Sequence, residues 1–404
     1  MNIRIVRVTT LLITGLACAG IVFLPSLARG QESNRNDAKA RVEERPELTD
    51  EQLSTKAAEL RALYSKPPSE WPKATIDEGV EFVELGLLPP PPEPADNPTT
   101  KQKVELGKAL FFDPRLSGSG QFSCASCHDP DLAWADGRTV SFGHDRKAGK
   151  RNAPSVMNAA HAQNLFWDGR AESLEKQAVG PIMAEVEMNA EPDVAVQRII
   201  DEKGYAPMFA AAFGDETVDL DRITKALAAF QRTIVGGRSK FDSFLKGNPS
   251  ALSDSAVRGL HLFRTDARCI NCHSGPAMSD WKFHDLGISN YGRALEDRGR
   301  YDITKDPKDM GAFRTPPLRN VTQTRPYMHS GLFEMNELLV LYNAGMANPR
   351  PRKDQVDDPL FPKKSALLKP LGLNDQDIED LEAFLKSTEE SRARVRPPKL
   401  PGRE

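Results

Sequence analysis

Two five-residue stretches constrain this chain more than any other feature: Cys124-Ala125-Ser126-Cys127-His128 and Cys269-Ile270-Asn271-Cys272-His273. In Cys-x-x-Cys-His the two thiols form thioethers to the vinyl groups of a haem, and the adjacent histidine is close enough to bind the iron axially. The porphyrin edge sets the spacing. Zinc ribbons separate their cysteine pairs by about 15 to 20 residues and need no following histidine, and thioredoxin-like dithiols sit in a βαβ setting absent here. The motifs therefore predict two covalently bound haems c with His128 and His273 as proximal ligands.

The first thirty residues differ from the rest. Arg4 and Arg7 precede an apolar run from Val8 to Leu27, and Ala28-Arg29-Gly30 places small residues where a signal peptidase reads them. Residues 1–30 are expected to be a signal peptide and the mature protein periplasmic; the alternative is an uncleaved anchor facing the periplasm. Of the 54 lysines and arginines, Arg4, Arg7 and Arg29 fall in this segment, so the mature chain carries 51 against 57 acids, a net of −6. That balance argues against a nucleic-acid partner. Cys18 is discarded with the signal, and the four remaining cysteines all lie in the two motifs.

Residues 31–100 read as a polar, proline-rich arm ending in Pro89-Pro90-Pro91-Pro92-Glu93-Pro94, with one short helix for which Thr49 and Gln52 form a capping box. A weak internal repeat follows. Leu110-Phe111 closes a helical pattern before the first motif, and Leu262-Phe263 closes another before the second. Each repeat ends in an amphipathic helix, with Ile223, Ala226, Leu227 and Phe230 on one face of the first and Ile378, Leu381, Phe384 and Leu385 on one face of the second. No segment sustains period-two alternation, and prolines and glycines break the chain often. The expectation is a mainly α protein of two cytochrome c-like haem domains in tandem with long loops. They would span residues 101–245 and 251–390, before a polar tail at 391–404.

What occupies the iron face opposite each proximal histidine decides the function: a releasable face permits catalysis, and two strong ligands favour electron transfer. His144, His329, Tyr342 and Met346 are candidate sixth ligands. More specific are the segments Leu106-Gly107-Lys108-Ala109-Leu110-Phe111-Phe112-Asp113-Pro114, Arg151-Asn152-Ala153-Pro154-Ser155 and Phe166-Trp167-Asp168-Gly169-Arg170. They are followed by Pro181-Ile182-Met183 with Val186-Glu187-Met188, and by Leu318-Arg319-Asn320 with Pro326-Tyr327-Met328-His329. In order and spacing these resemble the bacterial di-haem cytochrome c peroxidase superfamily, which includes the methylamine-utilisation di-haem enzymes, over about residues 101–390.

The resemblance implies that the first haem reacts with hydrogen peroxide and the second stores or relays an electron. Trp167 matches a tryptophan between the haems. Glu187 matches a distal acid that moves a proton between the peroxide oxygens, and Gln177 a neighbouring polar group that orients peroxide or water. Asn152, with the carbonyls of Thr324 and Pro326, matches a calcium site, whose all-oxygen shell suits that cation. His144 falls where the peroxidase branch has a distal histidine. Tyr342 instead resembles the maturation branch, and its tyrosinate would lower the potential of the second haem relative to thioether ligation. Met346, one helical turn on, could replace it.

Three functions are consistent with these residues. The leading one is a peroxidase reducing hydrogen peroxide with electrons from a small cytochrome c or blue-copper protein, with a homodimer as a further expectation. The second is oxidation of a protein or organic substrate through a high-valent di-haem state. The third is a plain electron-transfer cytochrome, which would have no need of Glu187 and Gln177.

Overall fold

The computed structural model describes residues 42–390 and 395–402, so the signal expected over 1–30 lies outside the described residues. These residues are mainly α-helical. In chain order the helices are α1 (Asp50–Tyr64), α2 (Lys101–Phe112), α3 (Leu174–Met183), α4 (Pro192–Asp201), α5 (Ala206–Phe213) and α6 (Leu220–Gln231). They continue with α7 (Lys240–Leu245), α8 (Asp254–Arg264), α9 (Tyr301–Thr304), α10 (Met335–Asn343) and α11 (Asp375–Ser387). Among the described residues no helix is long and apolar enough to cross a membrane.

The internal repeat appears as two helix pairs. In the first half α2 packs on α6, and in the second α8 packs on α11. Each helix begins at a side chain that accepts a backbone N–H: Thr100 from Lys103, Asp219 from Arg222, Ser253 from Ala256 and Asn374 from Asp377. The apolar faces read from the sequence are buried, with Phe230 meeting Phe111 edge-on at 5.3 Å and Phe384 meeting Phe263 at 5.2 Å.

Both pairs close over a glycine. A Cβ on Gly107 would lie 1.9 Å from the Ala226 carbonyl oxygen, and one on Gly259 would lie 1.8 Å from that of Asp380. A methyl at either position forces the helices apart, so Gly107→Ala and Gly259→Ala are each expected to destabilise by about 1–3 kcal/mol. The measurement is a thermal melt of the haem-loaded variants, where each kcal/mol lowers the midpoint by about 2–4 °C for a unit of 150–250 residues. An unchanged midpoint would show slack at the crossing.

The chain ends cross over. Residues 42–98 precede the first half, yet α1 packs on α8, and Leu60, Tyr64, Trp71 and Leu85 join the core of the second half. Thr49 and Gln52 form the expected capping box at the start of α1. The fully buried Arg264 pairs with Glu84 and donates to the Tyr64 hydroxyl and the Pro72 carbonyl. This segment reaches the first half at Asn97, whose amide donates to Glu175 and to the Lys225 carbonyl. Conversely, Val395 and Leu400 pack against the first-half core, and Arg115 donates to the Pro401 carbonyl.

Two three-residue strands, β1 (Phe283–Asp285) and β2 (Ala312–Arg314), pair antiparallel with Phe283 opposite Arg314. They are too short to show alternation in the sequence. Their role is positional: the Arg314 N–H, at the end of β2, donates to the Trp167 carbonyl at 2.8 Å.

Candidate di-haem site

Each Cys-x-x-Cys-His motif folds into a single 3-10 turn, at Cys124–Ser126 and Cys269–Asn271, in the loop that follows the first helix of its pair. The His128 N–H donates to the Cys124 carbonyl at 3.0 Å and the His273 N–H to the Cys269 carbonyl at 2.9 Å, so the two turns are closely alike. Among the described residues none of the four motif cysteines enters a disulfide, so each sulfur is available for a thioether, and burial pushes the thiols of Cys124 and Cys269 up to about 12.

The two motif histidines are held the same way in both halves. Nδ1 of His128 lies 3.1 Å from the Trp134 carbonyl oxygen, and Nδ1 of His273 lies 3.1 Å from that of Met278. A carbonyl can only accept, so Nδ1 carries the proton and Nε2 keeps the lone pair that a metal takes. Burial also lowers both imidazole pKa values, that of His273 to about 4, against the raising influence of these carbonyls. Both rings are therefore neutral near pH 7, as ligation requires.

One cavity of about 1290 Å³ is lined by both motifs. It exceeds the roughly 300–1,000 Å³ of an ordinary small-molecule pocket. Phe111 and Leu227 line it from the first helix pair, and Phe263 and Leu385 from the second. Paired thiols, a locked imidazole and an apolar wall recur in each half, and these residues fit a covalently held haem at each motif.

Gln177 and Glu187 line this cavity together. Gln177 lies on α3, and Pro181, four residues on, has no N–H to give the Gln177 carbonyl, so the helix soon ends. The chain then turns back through Glu187 N–H to Ala184 carbonyl and Met188 N–H to Pro181 carbonyl bonds, which fold Glu187 back toward the end of α3. Burial raises the Glu187 carboxyl above its ordinary range, with Arg170 pulling the other way.

His144 is placed differently from its expected role as a sixth ligand. Its N–H donates to the Glu187 carbonyl at 2.8 Å, but its ring turns to Asp145, with Nε2 3.3 Å from that carboxylate, and does not line the cavity. The left-handed backbone at Asp145 and Arg146 turns the loop there.

Trp167 lines the cavity and is tied to both halves. Its indole N–H donates to the Asn152 carbonyl at 2.9 Å, while its own carbonyl accepts from Arg314. Asn152, Thr324 and Pro326 also line the cavity. The Asn152 amide nitrogen donates to the Arg138 carbonyl at 2.7 Å, which leaves its amide oxygen as the end available to a cation. His329 stacks on Phe313 at 3.7 Å and meets Trp167 edge-on, so its ring is engaged in packing.

Tyr342 lies on α10 and lines the cavity beside the second motif. Burial, reinforced by the nearby Cys272 and Cys269 sulfurs, pushes its phenol pKa upward. Met346 does not follow one turn further along the helix. The helix ends at Asn343, Gly345 and Met346 are both left-handed, and the Met346 side chain is buried away from the cavity.

Sequence reading missed the carbonyls of Trp134 and Met278, because backbone acceptors leave no side-chain signature. It also missed the His284–Asp280 pair at 2.9 Å, which with Cys272 forms a cluster able to hold a metal ion while that cysteine is a free thiol. A thioether at Cys272 would take that sulfur out of the set.

Two such turns facing one cavity, with an acid and an amide on one wall, define a di-haem c-type oxidoreductase. The family described as di-haem cytochrome c peroxidase matches residues 101–250. The chain is 38% identical over 353 residues to the cytochrome-c peroxidase IdrP1 of Denitromonas iodatirespirans, covering 80% of this chain and 91% of the relative. It is 40% identical over 311 residues to the methylamine utilization protein MauG of Methylorubrum extorquens, covering 77% and 84%. A crystal structure of a MauG-like protein associated with microbial copper homeostasis superposes with a TM-score of 0.67 at 32% identity, covering 78% of this chain and 95% of that one. The chain belongs to the di-haem cytochrome c peroxidase family, which takes two haems c.

Proposed function

We propose that this protein is an exported, periplasmic peroxidase that reduces hydrogen peroxide to two waters beside Cys124–His128. Its electrons enter through the second haem from a small cytochrome c or blue-copper protein. The observation that carries the reading is Glu187, held beside Gln177 on the cavity wall with its carboxyl pKa raised by burial. The two haems, when bound, supply the metal and one electron per iron, so both are needed for a two-electron reduction.

The chain's own residues do the rest. Gln177 orients peroxide by hydrogen bonding, and Glu187 takes the proton from one peroxide oxygen and returns it to the other, so that water leaves and not hydroxide. With the His144 ring turned to Asp145, Gln177 and Glu187 are the polar side chains that would meet peroxide in the cavity. Trp167, bonded to each half, holds the two haem sites in fixed relation. Calcium is proposed at the Asn152 amide oxygen with the Thr324 and Pro326 carbonyls, which would brace that relation.

Tyr342 supports a second reading, oxidation of a protein or organic substrate, because its phenol opens into the cavity beside Cys269 and Cys272. The test is optical and EPR spectroscopy of oxidised and half-reduced protein, with and without calcium and peroxide, on wild type and Tyr342→Phe. Peroxide is expected to shift the Soret band, and failure to do so in either redox state sinks both enzymatic readings. An unchanged low-spin signal in Tyr342→Phe removes Tyr342 as a ligand, and spectra indifferent to calcium remove the ion.

A further inference from the structure

Four arginines are at least nine-tenths buried: Arg232, Arg264, Arg314 and Arg319. Three have a carboxylate, since Arg232 pairs with Glu175 at 2.9 Å, Arg319 with Asp242 at 2.8 Å, and Arg264 with Glu84. Among the described residues Arg314 forms no ion pair. Its guanidinium donates to the Phe166 carbonyl at 3.2 Å and the Thr315 carbonyl at 3.3 Å, and lies 5.3 Å from the centre of the Trp281 ring. A buried guanidinium cannot shed its proton at ordinary pH, and two long bonds to neutral carbonyls leave its charge uncompensated. Burial alone lowers its pKa, to about 10. The side chain borders the cavity, so the missing anion belongs to what fills that cavity.

The internal repeat indicates which half it serves. The Pro154 carbonyl faces the His128 imidazole and the Pro316 carbonyl faces that of His273. Asn152 and Arg314 each stand two residues before that proline, so the second half has a cation where the first has a neutral amide.

We propose that Arg314 is a carboxylate-binding site for the haem held by Cys269–His273, forming the ion pair that the protein itself does not provide. A fixed cation beside that haem favours its reduced form, because the ferric state carries one more positive charge. Arg314 thereby raises the potential of the second haem, opposing any lowering by Tyr342, and makes it the better electron store. This rests on haem attachment at Cys269–His273, and counting haems separates failure of that assignment from failure of the proposal.

The experiment is spectroscopic redox titration of both haems at pH 8 in the purified holoprotein, for wild type, Arg314→Gln and Arg314→Lys, with haem content measured on each. Arg314→Gln with two haems is expected to disfavour reduction of the second haem at least tenfold, about 59 mV for one electron, and to leave the first near its wild-type potential. Arg314→Lys keeps the cation and is expected to restore the second potential. Unchanged potentials in Arg314→Gln, or a shift confined to the first haem, would overturn the proposal. If Arg314→Gln fails to assemble, Arg314→Lys decides: a two-haem Lys variant with the glutamine-sized loss overturns it, and one with the wild-type potential supports it. A wild-type potential that moves with added chloride or acetate would assign the site to an exchangeable anion and overturn the haem carboxylate.

Discussion

Glu187→Gln is expected to lower peroxide turnover by about 10²–10⁴-fold, the range for loss of a positioned general acid–base group. Haem content and melting temperature should remain those of the wild type. Glutamine keeps the size and polarity of the side chain and removes its ability to hold a proton between the two peroxide oxygens. The pH profile gives a second signature. Glu187 must be ionised to take the first proton, and burial raises its pKa. Wild-type turnover should therefore fall as pH drops through a value above the ordinary glutamate range, and that acid limb should vanish in Glu187→Gln. Steady-state peroxide consumption with a reduced small cytochrome c measures both. A variant within a few-fold of wild type would remove Glu187 from the proton path, with His144→Ala as a control at the adjoining backbone.

The second large effect concerns the fold. Replacing Cys269 and Cys272 together by alanine is expected to yield protein whose second half does not reach a stable, protease-resistant state. In the described structure Phe263, Leu339, Leu373, Leu381 and Leu385 all turn to the cavity at this motif. Leaving these apolar side chains without a partner would cost several kcal/mol, since a single core truncation of the Leu→Ala kind costs about 2–5 kcal/mol. That is a large share of the stability of an ordinary domain, about 5–15 kcal/mol. Near-ultraviolet circular dichroism and limited proteolysis check it. A double variant with one haem and native-like resistance in both halves would show that the helix pair closes without its cofactor.

What could be read from the sequence followed from how local each signal is. The two Cys-x-x-Cys-His turns are five residues long and self-contained, and both fold alike, with each histidine ring held to a carbonyl. The faces of α6 and α11 were legible because a helix repeats every 3.6 residues and both pack on one side. The Thr49–Gln52 capping box was legible for the same reason. Side-chain direction in irregular loops was not, since His144 turns on the backbone of two left-handed residues that carry no glycine to announce them. The helix expected to continue to Met346 stops at Asn343, where Gly345 and Met346 enter the left-handed region. Arg314 was invisible because a lone arginine reads as a surface residue until every other buried guanidinium is seen to have a carboxylate.

The crossed chain ends carry a consequence for assembly. Leu48 and Gln376 exchange two hydrogen bonds across 328 positions of sequence, and Thr75 and Arg264 join over 189. Contacts this distant in sequence slow folding, because loop closure must precede any gain from them. During chain elongation the first helix must wait, with Leu60, Tyr64 and Trp71 uncovered, until α8 at residues 254–264 has been made. The half that holds Cys124 lacks its closing piece until residues 395–402 follow. Neither half can be completed before residues 42–98 and 395–402 are both present.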